Sequence, residues 1–393
     1  MSGSRPLVLL LLVLTASACD TSSDAIQDGA LAAPGLLVGE RVALDGDAAV
    51  LGAPGSNEAF AFVRSGESWT RVSSLRPTQG RVSDPRFGQH IDLAGSYVVV
   101  GAPENDVASD AAGHAYVYAR TSGGWIEDAV LRPDDLDPNA NFGSSVSLSD
   151  GRLAVGAGDD GEVGRVHIFE GTGWTRSAVL THPDADEGSA FGSSVALDGD
   201  RLAVSGLAGP VGTDGRVYLF ERGPSGRWTL DDVIEAPPLR QGSITPLGFG
   251  FDMALEGPTL VVNEPGREAG TVYVYRSSAG VWTIETTLTR SLSDLGPLAN
   301  FGARVALFGD RLVAAVPGRE LNGEARGAAI IYVRGPSGAW TQEAELRLSS
   351  PVVGFARDVA VDGETVLVGA NDGESRGSGY LFSRGPNGWS EVR

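Results

Sequence analysis

The sequence predicts an all-β fold, a seven-bladed β-propeller with four-stranded antiparallel blades, and three observations predict it. Seven tryptophans stand at positions 69, 125, 174, 228, 282, 340 and 389, an average period of about 53 residues, which suits one four-stranded blade. Each belongs to the same longer pattern, in which two-residue turns separate short apolar runs. No helical periodicity follows the N-terminal segment.

At the N-terminus, Arg5 precedes an apolar run from Leu7 to Leu14 and the small residues Ala16-Ser17-Ala18, directly before Cys19. This has the order of an export signal, and the run is too short to span a bilayer as a mature helix. Small residues before a cysteine resemble the bacterial lipobox, which implies acylation of Cys19 after cleavage. Cys19 is the only cysteine, so no intramolecular disulfide is available and lipidation gives the lone thiol a use. The alternative is an ordinary secretion signal that leaves a free thiol. Residues 1–18 are read as signal peptide, 19–35 as a lipid-anchored tether and 36–393 as the propeller.

The first half of the repeat is clearest from Phe191-Gly192 through Asp198-Gly199-Asp200 to Ser205-Gly206. The Asp-Gly pair predicts a type I′ hairpin turn, and Asp45-Gly46, Asp150-Gly151 and Asp362-Gly363 repeat it. The second half runs through Gly215-Arg216-Val217-Tyr218-Leu219-Phe220 into a strand opened by Trp228. These third strands are apolar on both faces, as expected of a sheet sandwiched between two others. In six fourth strands an aliphatic residue follows the tryptophan by six positions, at Leu75, Leu131, Leu180, Ile234, Leu288 and Leu346, so the pair shares one face. The seventh stops at Arg393, short of that position. Residues around Asp24 to Ile26 are therefore candidates to complete the last blade, against the plainer expectation that 20–34 is flexible tether.

Phe-Gly at 87, 142, 191, 249 and 301, with Val38-Gly39 and Phe355-Ala356, and Gly-Ala-Pro at 52–54 and 101–103 resemble the FG-GAP repeat family. The resemblance covers residues from about 36 to the C-terminus and implies a propeller. Kelch-type and β-helical folds fit the pattern less well. FG-GAP repeats of the integrin type hold calcium in an aspartate-rich loop between the first two strands. Here that loop is two residues long and cannot supply six to eight oxygen ligands, so no metal is expected there.

Other motifs each have a plain structural reading. Asp135, Asp137 and Asn139 alternate oxygen ligands in an acidic loop whose counterpart is Asp184-Ala185-Asp186-Glu187, but both sit in blade connections, where polar turn residues are the default. Gly156-Ala157-Gly158-Asp159-Asp160-Gly161 matches a dinucleotide fingerprint without the helix that it needs. Gly373-Glu374-Ser375-Arg376-Gly377 matches a nucleophile elbow outside any α/β context. His90, His114, His167 and His182 occupy non-equivalent positions and show no metal-ligand spacing. A tryptophan present once per blade is read as packing rather than as a sugar-stacking ring.

The formal net charge is -20, and every basic charge is an arginine. Nucleic acid and anionic lipid are excluded as partners, and the membrane is reached through the anchor alone. No cofactor, no catalytic residue and no ligand-binding residue is assigned. The expected function is that of a monomeric, exported, membrane-anchored binding module in the periplasm or at the cell surface, recognising a protein or a glycan. The alternatives are an envelope-assembly scaffold and a propeller enzyme with carboxylates or arginines converging at the axis. No blade position is read as concentrating unusual polar residues, and the propeller leaves no room for a separate catalytic domain.

Overall fold

The computed structural model describes residues 30–79, 86–104, 111–183, 189–207, 215–238, 248–296, 299–321, 324–350, 352–371 and 377–392. Cys19, the signal segment and Asp24 to Ile26 lie outside the described residues. Seven antiparallel sheets form the blades, six of them with their strands in sequence order and the seventh with an added N-terminal strand, beside one two-stranded ribbon at Glu320–Leu321 and Glu324–Ala325. Blade one, with strands Val42–Asp45, Ala48–Ala53, Glu58–Ser65 and Ser68–Leu75, sets the pattern. The first strand of each blade touches the first strand of the next, and blade seven touches blade one, so the first strands surround an axis. The fold is the expected all-β, seven-bladed propeller, with one short helix at Leu292–Leu295.

The hydrophobic core is divided into seven layers, one at each blade junction. The layer between blades one and two joins Val50, Ala61 and Leu75 to Phe87, Tyr116 and Trp125. A third strand therefore meets a neighbour on each face, which is why it is apolar throughout. The phenylalanine of each Phe-Gly is buried edge-on against a third-strand aromatic, Phe87 on Tyr116 at 5.3 Å and Phe191 on Tyr218 at 5.6 Å. Burying such a ring contributes roughly 1.5–3 kcal/mol.

The tryptophans lie at the outer edge between blades and, apart from the half-buried Trp389, are buried. Three of them donate Nε1–H across the junction, Trp174 to Asp128, Trp340 to Glu285 and Trp389 to Glu343. Packing thus accounts for the period.

The two glycines of the repeat have one shared cause. A Cβ on Gly52 would stand 2.1 Å from the carbonyl oxygen of Gly88, and one on Gly101 would stand 2.1 Å from that of Gly143. Each pair brings the Gly-Ala-Pro glycine of one blade against the Phe-Gly glycine of the next. The Phe-Gly glycine also has positive φ, 91° at Gly88, and its N–H donates to Gly101 O within its own blade. Backbone meets backbone here because no side chain intervenes.

The hairpin turns differ from the expectation. In six of the seven, glycine is the first of the two loop residues, as in Gly199-Asp200 between the paired Asp198 and Arg201. Only that first residue has positive φ, 55° at Gly199, which is the type II′ signature. Asp150-Gly151 alone forms the expected type I′ loop, with positive φ at both residues. The shift leaves the preceding acidic residue at the end of a strand, where its carboxylate accepts from the turn glycine N–H of the next blade. Asp45 accepts from Gly95, Asp198 from Gly257, Glu256 from Gly309 and Asp362 from Gly46, at 2.5 to 2.6 Å.

The ring closes on residues other than those expected. Ala30–Ala32 forms a strand antiparallel to the third strand of blade seven, pairing Ala30 with Tyr380 and Leu31 with Gly379. The C-terminal strand Gly388–Glu391 pairs with the other end of that same strand. In blade one Ala59 pairs with Leu75 and Arg64 with Trp69; in blade seven Gly379 pairs with Leu31 and Arg384 with Trp389. Leu31 thus occupies the seventh aliphatic position, buried against Leu51, Leu367 and Leu381. Among the described residues the closing position is held by Leu31, not Ile26, and the pairing residues Ala30–Ala32 fall inside the segment expected to be tether. The reason is register, since only a leucine opposite Gly379 fills the gap that the last strand leaves open.

Candidate functional site

Each first strand enters the ring just after its Phe-Gly, so the third residue past the phenylalanine position faces the axis in every blade. Those residues are Arg41, His90, Ser145, Ser194, Asp252, Arg304 and Asp358, and together they line one axial cavity of about 310 Å³. Strand alternation turns the fifth residue the same way, and there the ring is alanine in five blades, with Asp92 and Ser147 in the other two. The axis therefore holds a polar mouth above a mostly alanine floor. The expectation that no blade position concentrates polar residues is overturned: one does, and its members converge.

The aspartates are partly used by the fold. Asp358 Oδ2 accepts from Val42 N–H and Asp252 Oδ2 from Val305 N–H, each at 2.8 Å and each across a blade junction. In the layer below, Asp92 Oδ2 accepts from Leu148 N–H at 2.7 Å. Burial pushes the carboxyls of Asp92 and Asp358 up to about 6, in the second case against the pull of Arg41 and Arg304. Burial also raises Asp252, opposed by the same two arginines. His90 is held well below its ordinary value by burial and then by Arg41 and Arg304, so it is neutral at pH 7.

The guanidinium groups are not spent in this way. Among the described residues, Arg41 Nη1 donates to Glu40 O at 3.2 Å and Arg304 Nη1 to Ala303 O at 2.9 Å, and neither arginine forms an ion pair. Arg304 Nε is buried without an acceptor. The two charges feel each other: Arg41 is lowered by burial first and by Arg304 next. The Arg304 guanidinium lies 4.5 Å from the centroid of the Phe251 ring, which is 54% exposed at the rim. Two further cavities, of about 360 and 430 Å³, open beside the axial one and share Arg41, Arg304 and Phe251 with it.

The residues singled out from sequence fall elsewhere. Asp135 is bound by Arg176 through both oxygens, at 2.5 and 3.0 Å, and that arginine holds its carboxyl low. Asp137 N–H donates to Asp160, and Asn139 takes a left-handed turn conformation with φ of 61°. Among the described residues no group of three or more His, Cys, Asp or Glu side chains is placed to share a metal. Residues 184–187 and 373–376 lie outside the described residues. Gly156 sits in a second strand, and Ala157 ends it. His167 is buried 3.5 Å from Asp160, His182 shares a 2.7 Å hydrogen bond with the Tyr218 hydroxyl, and His114 lies in a third strand. His90 alone of the four reaches the axis.

Seven four-stranded blades around a polar axial well define a seven-bladed propeller with a site at the mouth of its channel. The FG-GAP repeat family matches residues 69–118, 125–169 and 174–220, so three FG-GAP repeats are built into this propeller. Each matched segment begins at a tryptophan and ends in the third strand of the following blade, so sequence repeat and blade are out of phase by one strand. No curated protein matches the chain. Among solved structures, it is similar to a protein of Bacteroides fragilis NCTC 9343 provisionally named as a 6-phosphogluconolactonase. The TM-score is 0.55 at 15% identity, over 93% of this chain and 94% of that one. A protein of Bacteroides uniformis ATCC 8492 under the same provisional name gives 0.56 at 14% identity, over 88% and 94%. At these identities the likeness is one of fold.

Proposed function

We propose that the chain is a binding module anchored to the cell envelope through Cys19, recognising a protein or glycan partner at the axial mouth. One observation carries the reading. At a single repeat position seven blades present Arg, His, Ser, Ser, Asp, Arg and Asp to one cavity, whereas the next inward layer is mostly alanine. A fold needs neither two guanidinium groups without ion pairs nor an exposed phenylalanine beside them. A ligand that supplies an acidic or polar group uses both.

The test is capture from envelope extracts by the immobilised chain, with Phe251→Ala and Arg304→Gln as variants. Both side chains lie at the mouth, where their one contact with each other crosses the junction of blades five and six at an exposed ring, so the thermal midpoint should fall by no more than about 1–2 °C while capture falls at least tenfold. Equal capture by wild type and both variants would move the binding surface away from the axis.

A second reading, hydrolysis of a small lactone or ester, draws on one feature of the same mouth. His90 is held neutral beside two cationic groups, the state that a general base requires. The provisional names of the two similar structures point the same way. Lactone turnover that disappears in His90→Ala supports it, and turnover unaffected by that change removes it.

A further inference from the structure

We infer that the axial mouth binds the carboxylate of a hydroxylated acid, such as a uronic acid unit, between the guanidinium groups of Arg41 and Arg304. The inference rests on the binding reading and names its ligand chemistry. An arginine fork matches a carboxylate through two parallel hydrogen bonds, and each of these two guanidinium groups makes its one hydrogen bond to the carbonyl of the preceding residue. The remaining donors face a cavity in which no protein carboxylate forms an ion pair with them.

Charge balance selects among anions. With His90 neutral, the cavity brings Arg41 and Arg304 together with Asp252 and Asp358, and Asp92 lines the layer below. A single negative charge held on the arginine side meets about half the repulsion from these carboxylates that a phosphate dianion meets. Asp358 uses Oδ2 on the Val42 N–H, which leaves Oδ1 to accept from a ligand hydroxyl, whereas Asp252 already accepts from the N–H groups of Val305 and Met253. Ser145 is spent on the fold, its hydroxyl donating to Gly192 O at 2.7 Å across the blade junction. The axial cavity of about 310 Å³ has room for one sugar unit, and the two adjoining cavities share Arg41, Arg304 and Phe251 with it. The exposed Phe251 ring offers an apolar face at the entrance.

Calorimetric titration of the full-length protein with glucuronate, glucose, glucose 1-phosphate and butyrate tests each part. Glucuronate is expected to bind at least tenfold more tightly than the other three. Arg304→Gln and Arg41→Gln should each lose at least tenfold, while Arg227→Gln, on a hairpin far from the axis, should lose nothing. If Arg41→Gln fails to fold, glucuronate should still raise the wild-type thermal midpoint where glucose does not. Equal binding of glucose overturns the role of charge, and equal binding of butyrate overturns the role of the hydroxyls. No binding of glucuronate, with envelope capture still dependent on Arg304, overturns this inference alone. Capture that is indifferent to Arg304 overturns the reading beneath it.

Discussion

Replacing Leu31 with alanine removes the one side chain by which the N-terminal strand enters the hydrophobic layer between blades seven and one. Leu31 is 2% exposed and packs with Leu51, Leu367 and Leu381. A buried Leu→Ala change costs about 2.7–5 kcal/mol, depending on how far the site collapses. Only three residues pair in this strand, so it can shift, which puts the expected loss near the low end, at ~3 kcal/mol. Unfolding entropy of ~2.1 cal/mol/K per residue over roughly 360 residues gives ~0.75 kcal/mol/K, so the thermal midpoint should fall by about 4 °C. Leu180→Ala, at the same register in blade three, should fall by a similar amount, and Leu36→Ala, 45% exposed, by less than about 1 °C. Circular dichroism melts of the four proteins suffice. A Leu31→Ala midpoint equal to wild type, with Leu180→Ala lowered, would refute the assignment of residues 30–32 to the seventh blade.

Gly101→Ala places a Cβ 2.1 Å from the Gly143 carbonyl oxygen, so the midpoint or the soluble yield should drop more than for Gly123→Ala, where nothing lies within 4 Å and φ is not positive. Asp92 and Asp358 are raised to about 6 from an ordinary value near 3.8, so the folded state holds their protons more tightly; the stability this gives is full below about 4 and lost as pH rises through about 6. Asp135 and Glu285, lowered first by Arg176 and Arg334, contribute in the opposite sense and lose their share as pH falls below the usual carboxylate range. The midpoint should therefore rise from pH 7.5 to about 5 and fall below about 4, and a steady decline from 7.5 downward contradicts the burial of the two aspartates. Glu285→Ala frees Arg334 and leaves Trp340 Nε1 without its acceptor, which should cost about 1–3 kcal/mol and show as a lowered midpoint. If Cys19 carries lipid, wild-type protein should partition into detergent and incorporate labelled fatty acid, and Cys19→Ala should do neither; equal behaviour of the two removes the anchor.

Blade number, strand count and the packing role of the tryptophans were legible because they rest on spacing, and spacing survives in a single sequence. Turn type was legible only in part. The dipeptide Asp-Gly suggests a loop of those two residues, but the pairing of Asp198 with Arg201 moves the loop one residue on and frees the aspartate for the next blade. The closing strand was sought at the spacing found between other blades. Leu31 lies only seven residues before Val38, a shorter connection than any internal one, so the rule passed over it. The axial ring was missed for a different reason. Arginine, histidine, serine and aspartate are each unremarked in a loop or strand, and they become a site only when read down one register column. The signal stands three positions past the phenylalanine position of every repeat, where arginine, histidine, serine and aspartate share one column and no blade keeps an apolar residue.

The seventh blade draws its outer edge from both terminal regions, and this orders events in time. Leu31 is among the first folded residues to be synthesised and Gly379 among the last. At ~5–20 residues per second, roughly 20–70 s separate the two on the ribosome. Throughout that interval Ala30–Ala32 has no neighbour, and the layer that will hold Leu31 lacks Leu367 and Leu381. An unpaired strand is an invitation to pair with another chain. At three residues, with Pro34 close behind, this one offers little to pair with. The seam is thus a late checkpoint: a chain interrupted before residue 377 lacks the strand on which Ala30–Ala32 pairs, and its ring stays open.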